Sequence, residues 1–140
     1  MSIDFPSEEW TAAYKDAVNA REAYREAGKK WTHGTIGFVV SPDPAVGLDQ
    51  PAAFILDLHE GECRKAWWSN EEEAKQQAFC ITGSYAQWKA VINKQLDPIK
   101  GMMQGKLKLK GNLPVIVMFV KAAQELVNAA SDVDTHFLDE

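Results

Sequence analysis

The sequence predicts an α+β domain in which a single, mostly antiparallel five-stranded sheet is covered by helices. Three observations support this prediction. The chain has 140 residues, which is the usual length of one domain. Short runs of strand-forming residues follow one another in the middle of the chain, and helical periodicity dominates both ends. No repeat or linker divides the sequence, so we expect one domain over residues 1–140 with its core at about 7–130.

The first element is a helix predicted over residues 7–27. Ser7 is a good N-cap, and Glu8 and Glu9 suit the positive end of the helix dipole. The apolar residues that share one helical face are Trp10, Ala13, Tyr14, Ala17 and Val18. Gly28 lies where a helix commonly ends.

Three strands are predicted next. Residues 35–40 are rich in strand formers, whereas residues 41–51 contain three prolines and a glycine and are therefore predicted to be a loop. Residues 53–59 alternate in the manner of a strand. Residues 59–62 form a turn, and residues 63–68 return as the second strand of a hairpin.

A short polar helix and a fourth strand follow the hairpin. Residues 70–77 are polar and helix-prone, and residues 78–82 are typical of a short strand. Gly83 and Ser84 then cap a second clear helix, which is predicted over residues 85–94.

The last part of the chain contains a helix, a strand and a final helix. Asp97 is an N-cap and Pro98 occupies the first helical position, so a short helix is predicted over residues 98–103. Lysine and leucine alternate strictly in residues 106–110, which predicts the fifth strand. Residues 115–117 could form a strand, but residues 114–130 are predicted to form the last helix, because their polar side chains recur at helical spacing.

Composition and charge limit the class of protein. The net charge of -5 and the pI of about 5.2 argue against a nucleic-acid partner, which normally needs a basic face. The longest apolar run, residues 113–120, is shorter than the roughly 20 residues of a membrane-spanning helix. Cys63 and Cys80 fit neither a disulfide framework nor a CxxC motif. The first residues do not resemble a signal peptide, so we expect a cytoplasmic protein.

Few residues have a type and spacing that suggest catalysis or metal binding. His33, His59 and His136 lie far apart and belong to no recognised catalytic motif. His59 and Cys63 flank the predicted hairpin turn, so a hydrolase that uses this pair stays open as an alternative. An exposed histidine and a half-buried thiol explain the pair more simply. We therefore expect no enzyme activity, no metal site and no cofactor.

Three lysines lie on one face of the predicted fifth strand. Lys106, Lys108 and Lys110 alternate with Leu107 and Leu109, which we expect to face the core. The lysines are interpreted either as a solvated face that resists edge pairing or as a site that attracts an anionic headgroup. Both interpretations stay open.

Large apolar side chains exceed what one sheet face needs, so they are interpreted either as a well-filled core or as the lining of a cavity, and composition alone leaves both open. Residues 115–120 are all apolar, and the pair Met102 and Met103 provides flexible thioethers close by in the sequence. Most of the tryptophans are interpreted as scaffold that holds helices in place, namely Trp10, Trp31 and Trp88.

Residues 96–112 read LDPIKGMMQGKLKLKGN and resemble the signature of the sterol carrier protein domain, the nonspecific lipid-transfer type. In that family an Asp-Pro turn, an apolar helix and a Gln-Gly-Lys-Leu-Lys strand precede a C-terminal helix. The supporting landmarks occur in family order, and they are Asn19, Tyr24, Trp31 to Gly34, Gly61 to Cys63, Gly83, Ser84 and Trp88. The resemblance extends from about Trp10 to Ala130.

The resemblance implies a sheet and helices that enclose an apolar tunnel for fatty acids, fatty acyl-CoAs or sterol-like lipids. It provides no catalytic residues, and the one polar position that it places near the tunnel is Gln104. The long loop at residues 41–51 and the tail, which lacks a peroxisomal address, depart from the eukaryotic pattern. A fatty-acyl or related ligand is therefore expected rather than cholesterol.

The resulting hypothesis is a non-catalytic carrier of a long apolar ligand. The residues expected to line the tunnel are Phe54, Leu56, Phe79, Ile81, Met102, Met103, Gln104, Leu107, Leu109, Met118, Phe119 and Ala122. The alternative is a dimerising interaction module of the same fold, with a filled core and no lipid. We expect a small apolar lipid and no nucleic acid as partner, while a homodimer and transient contact with a membrane surface stay open.

Overall fold

A five-stranded sheet is the centre of the fold in the computed structural model, which describes residues 2–140. In that range the strands are β1 (Ile3–Phe5), β2 (Ile36–Ser41), β3 (Ala52–His59), β4 (Glu62–Ser69), β5 (Phe79–Ser84), β6 (Lys108–Lys110) and β7 (Thr135–Phe137). The helices are α1 (Glu8–Ala20), α2 (Glu22–Ala27), α3 (Glu71–Lys75), α4 (Tyr85–Ile92), α5 (Pro98–Met103), α6 (Leu113–Met118) and α7 (Val120–Asp132).

The strands of the large sheet lie in the order β4-β3-β2-β5-β6. Neighbouring strands are antiparallel except for β2 and β5, which are parallel. Phe38 of β2 lies opposite both Phe54 of β3 and Ile81 of β5, which fixes the register of the central strands. The predicted fold class and all five predicted strands are confirmed, with boundary shifts of one or two residues.

The two faces of this sheet have different coverings. On the inner face, Phe54, Phe38 and Ile81 form a row that belongs to one large core with side chains of α1, α4, α6 and α7. On the outer face, α3 packs through Ala74 over β2 and β3. A Cβ atom at Gly37 would lie 2.5 Å from the backbone oxygen of Ala74, so only glycine permits this approach.

The first predicted helix is two helices in the structure. Arg21 has an extended conformation (φ -92°, ψ 107°) and separates α1 from α2. Its guanidinium donates to Glu125 at 3.0 Å and pairs with Asp132 at 2.6 Å, so the break coincides with contacts to α7. Beyond the break, Tyr24 is buried in the core.

The fifth strand is shorter than predicted because its first residues close the end of α5. Gly105 has a positive φ of 78°, and the backbone N–H groups of Lys106 and Leu107 both donate to the carbonyl oxygen of Gly101. Only residues 108–110 pair with β5. The predicted alternation therefore holds for the strand itself, while Lys106 belongs to the turn.

The last predicted helix is also divided, into α6 and α7, at Phe119 (φ -111°, ψ 38°). The break does not bury the whole apolar run, because Val117, Met118 and Val120 stay exposed. At the break, the ring of Phe119 meets the ring of Trp31 edge to face, with centroids 5.0 Å apart.

Two terminal segments form a small sheet that was not predicted from the sequence. β1 and β7 pair in parallel, and Phe5 lies opposite Phe137. Each strand has three residues, too few for a periodic pattern to be recognised. This pair places Phe5 against Trp10 of α1, with ring centroids 4.8 Å apart.

Candidate functional site

An apolar cavity of about 100 Å³ lies between the inner face of the large sheet and the helices that cover it. Its aromatic lining consists of Phe5, Trp10, Tyr14, Tyr24, Trp31, Phe38, Phe54, Trp88 and Phe119. Its other lining residues are Ile36, Leu58, Ile81, Val91, Ile92, Pro98, Met102, Ile116, Ala123, Leu126, Val127 and Ala130. No lining residue in the described part of the chain carries a carboxylate, an amine, a guanidinium or an imidazole.

The three tryptophans of the lining direct their polar atoms away from the cavity. Each indole N–H donates to a protein acceptor at 2.8–3.0 Å. The pairs are Trp10 Nε1 to Thr135 Oγ1, Trp31 Nε1 to the carbonyl oxygen of Gly34, and Trp88 Nε1 to the carbonyl oxygen of Val39. Because these donors are already satisfied, the rings contribute apolar surface to the cavity.

Two tyrosines of the lining are held in their neutral form. Burial, with the nearby thiol of Cys63 as a smaller contribution, raises the pKa of Tyr14 and of Tyr24 well above the usual phenol value. The Tyr14 hydroxyl donates to the carbonyl oxygen of Leu126 at 2.9 Å and so ties α1 to α7. The cavity therefore has neither a fixed charge nor an activated nucleophile in its wall.

Four of the twelve residues expected to line a tunnel lie in the cavity wall. Phe54 and Ile81 contribute from β3 and β5, Met102 contributes from α5, and Phe119 lies at the break between α6 and α7. Phe54 also stacks on Phe38, another wall residue, with ring centroids 5.0 Å apart. These placements bring residues from the middle and the end of the sequence together around one space.

The other eight residues lie outside the cavity wall. Those buried in the surrounding core are Leu56, Phe79, Leu107 and Ala122, and Leu109 is half-buried against the same core. Those at the surface are Met103, Gln104 and Met118. Gln104 is the C-cap of α5, and it is exposed and does not line the cavity.

The tryptophans are cavity residues that the sequence did not identify as such. Trp10, Trp31 and Trp88 were interpreted as scaffold, and the hydrogen bond of each indole N–H anchors its ring to the protein. The same three rings also border the cavity. The high number of aromatic residues was the available signal. Helical spacing alone cannot distinguish a ring that contacts another side chain from one that borders empty space.

The histidine and the cysteine at the hairpin do not form a catalytic pair. His59 Nε2 lies 3.0 Å from the carboxylate of Glu60, and the Cys63 thiol donates to the carbonyl oxygen of Lys65. Burial raises the pKa of Cys63 to about 12, so the thiol stays protonated and unreactive.

Neither a metal cluster nor a membrane span occurs in the described residues. Within residues 2–140, no three histidine, cysteine, aspartate or glutamate side chains are grouped in a way that could hold a metal ion. Each helix in this range is too short or too polar to cross a bilayer.

The predicted lysine face points away from the cavity. Lys108 and Lys110 lie opposite Thr82 and Cys80 of β5, whereas Leu109 lies opposite Ile81 on the inner face. Side chains that are cross-strand neighbours share a face of a sheet, so both lysines project from the outer face. These two lysines therefore cannot reach a ligand inside the cavity.

Comparison with known proteins gives a consistent result. The sequence profile of the SCP-2 sterol transfer family matches residues 14–124. No curated protein matches the chain. A crystal structure of sterol carrier protein 2 is 36% identical, with a TM-score of 0.83, over 91% of this chain and 97% of that one.

Two further solved structures share the fold. The solution structure of TT1886 from Thermus thermophilus, described as possibly a sterol carrier protein, is also 36% identical, with a TM-score of 0.83, and the match covers 93% of this chain and 90% of that one. Palmitated SCP2L2 from Aedes aegypti is 14% identical, with a TM-score of 0.50, over 89% of this chain and 96% of that one. On the evidence of the profile match and of the 36% identical structures, the chain belongs to the SCP-2 sterol transfer family.

Proposed function

We propose that this protein is a non-catalytic carrier that holds a long-chain fatty acid or a similar single-chain lipid in its apolar cavity. The observation that carries the proposal is the chemistry of the cavity wall, which consists of aromatic and aliphatic side chains with no charged group. Such a wall selects ligands by apolar burial and has little means of recognising a polar substrate.

Apolar burial is the main source of affinity that this wall offers. Each buried methylene contributes about 0.8 kcal/mol, so twelve of them contribute on the order of 10 kcal/mol. The costs of association and of ordering the ligand and the wall reduce this sum, and a micromolar dissociation constant corresponds to about 8 kcal/mol. Affinity in this range therefore requires burial of most of a long chain.

A long chain requires the cavity to widen. An apolar cavity of about 150 Å³ stays dry and accommodates benzene. The cavity of about 100 Å³ seen here has room for a short piece of hydrocarbon. Met102 and Phe119 are the wall residues best suited to move, because Met102 is flexible and Phe119 lies at a helix break.

The experiment is a titration with a fluorescent fatty acid, followed by displacement with palmitate. Palmitate is the chosen competitor because SCP2L2 of the same fold is described as palmitated. We expect saturable binding of about one probe per protein with a micromolar or lower dissociation constant. Absence of binding at micromolar protein would refute the proposal. Native mass spectrometry of protein purified from its own host would identify the lipid that it carries.

A dimerising module of the same fold is the second candidate function. The observation in its favour is the exposure of Met118 and Met103, which are 74% and 68% exposed. Sedimentation velocity at several concentrations separates the two functions. A monomer at every concentration that also binds the probe excludes the dimerising module.

A further inference from the structure

Phe119 borders the cavity and also retains surface that is accessible from outside. Among the aromatic wall residues in the described part of the chain, Phe119 alone is half-buried, and the others are buried. Its ring has no donor or acceptor, so no hydrogen bond holds it in place. A chain too long for the cavity of about 100 Å³ can therefore leave it past this ring.

His33 lies against the same ring. Its imidazole meets the ring of Phe119 near edge to face, with centroids 5.6 Å apart, and meets the ring of Trp31 with centroids 5.1 Å apart. The rings of Trp31 and Phe119 are themselves 5.0 Å apart. Because both of these rings line the cavity whereas His33 is exposed, the imidazole lies just outside the cavity wall.

A short anchored segment holds His33 in this position. Between α2 and β2, the backbone N–H of Trp31 donates to the carbonyl oxygen of Gly28 at 2.9 Å, and its indole N–H donates to that of Gly34 at 3.0 Å. Gly34 has a positive φ of 107°, and a Cβ atom there would lie 3.0 Å from that of Ala78. The protein itself therefore fixes the backbone on both sides of His33.

His33 is the one histidine of residues 2–140 whose ring nitrogens have no partner. His59 Nε2 lies 3.0 Å from the carboxylate of Glu60, and His136 Nδ1 lies 2.9 Å from that of Asp4. His33 makes ring contacts instead. An imidazole has an N–H donor in either tautomer and also when it is protonated, so His33 can donate to an oxygen atom in each of its forms.

Other polar groups close to the cavity wall are already paired. Around the β1–β7 pair, which contributes Phe5 to the wall, His136 contacts Asp4 and the ammonium of Lys89 lies 2.9 Å from the carboxylate of Asp139. Inside the cavity, a carboxylate would lose its water and find no charged partner, which is far more costly than the burial of a methylene is favourable. A fatty acid in this cavity is therefore most stable with its carboxylate outside the wall.

We propose that His33 binds the carboxylate of a fatty acid whose chain passes Phe119 and enters the cavity with its methyl end first. The inference rests on the proposed carrier function, and it adds the orientation of the ligand and the residue that recognises its polar end. The imidazole N–H donates to a carboxylate oxygen beside the ring that the chain passes. This contact favours an acyl chain with a terminal acceptor over a hydrocarbon that lacks one.

The orientation is tested by NMR of the imidazole signals in the presence of spin-labelled stearate. One probe carries the nitroxide close to the carboxylate, and the other carries it close to the methyl end. We expect the first probe to broaden the His33 signals strongly and the second to broaden them little, while His59 and His136 stay sharp with both. Stronger broadening of His33 by the methyl-end probe, or equal broadening of all three histidines, would overturn the proposal.

The hydrogen bond is tested by displacement titrations with palmitate on H33F and H33Q. H33F keeps a ring against Phe119 without the N–H, and it should bind palmitate about fivefold more weakly, the usual contribution of one hydrogen bond. H33Q keeps a donor and should bind within about twofold of the wild type. H59F is the matched control, because it removes an imidazole that already contacts Glu60, and it should bind as the wild type does.

The same titrations separate this inference from the carrier function. If the wild type binds palmitate and H33F binds it equally well, the role of His33 is refuted and the carrier function stands. If the wild type does not bind palmitate, both are refuted. Weaker binding by K100Q but not by H33F would also overturn the proposal and place the carboxylate at α5, the other part of the wall that is suited to move.

Discussion

Filling the cavity from one side chain should abolish most lipid binding without unfolding the protein. Ala123 of α7 lines the cavity, so the ring of Ala123→Phe would grow into it. A phenyl group is close to the size of the benzene that occupies an apolar cavity of about 150 Å³. The substitution would therefore take up most of the roughly 100 Å³ that is empty here.

The loss of affinity can be estimated from the displaced ligand. If the ring excludes three methylenes from the cavity, binding weakens by about 2.4 kcal/mol, or about 50-fold in the dissociation constant. Stability should change little, because the gain from filling a void opposes an overpacking cost of about 1–3 kcal/mol.

The assay is the fatty-acid displacement titration, with thermal unfolding as the check that the variant is folded. Gln124→Phe is the matched control, since it adds the same ring at the next position of α7, where the side chain is exposed. A folded Ala123→Phe protein that binds the probe as tightly as the wild type would refute the cavity as the ligand site.

Three other predictions concern stability and side-chain chemistry. Leu107→Ala should lower the free energy of unfolding by about 2–5 kcal/mol, because Leu107 is 1% exposed; a loss in urea denaturation no larger than that of half-buried Leu109→Ala would contradict this. Cys63, whose pKa is raised to about 12 by burial, should react slowly with iodoacetamide at mildly alkaline pH until the protein is unfolded; rapid labelling of the native protein would count against it. The hydrogen bond to Asp4 raises the pKa of His136 above its usual value of 6.5. This bond should therefore stabilise the β1–β7 pair fully below pH 6.5, and the stabilisation should be lost as the pH rises through the raised pKa. An NMR titration in which Asp4→Asn leaves the pKa of His136 unchanged would disprove this contribution.

Elements with local signals were predictable from the sequence. Asp97 was expected to cap α5, and its carboxylate accepts hydrogen bonds from the backbone N–H groups of Ile99 and Lys100. Ser84 was expected to cap α4, and its hydroxyl accepts from the backbone N–H of Gln87. These interactions join residues two or three positions apart, so the residue types alone contain the information.

The helix breaks were not predictable in the same way. Arg21 ends α1, and its partners Glu125 and Asp132 are more than a hundred positions away in the sequence. The run of apolar residues around Phe119 favours a helix locally, whereas the position of the Phe119 ring depends on its contact with Trp31, which is distant in the sequence. Contacts between residues so distant in the sequence form only in the folded protein, and they produce no periodic pattern in the sequence.

The cavity shows the same limit within a single strand. Phe54 and Leu56 both project from the inner face of β3, and both were expected to line a tunnel. Phe54 borders the cavity, whereas Leu56 is fully buried in the core beside it. Alternation identifies the inner face of a strand, but the covering helices determine where space remains.

The hydrogen bonds of the wall determine where the cavity can open. Trp10, Trp31 and Trp88 are each fixed by an indole N–H that would be left without its partner if the ring moved, and an unpaired buried donor costs about 1–3 kcal/mol. Met102 and Phe119 have no side-chain hydrogen bond to break, and Phe119 interrupts the helical backbone. Widening should therefore occur at α5 and at the α6–α7 break, and not at the three tryptophans.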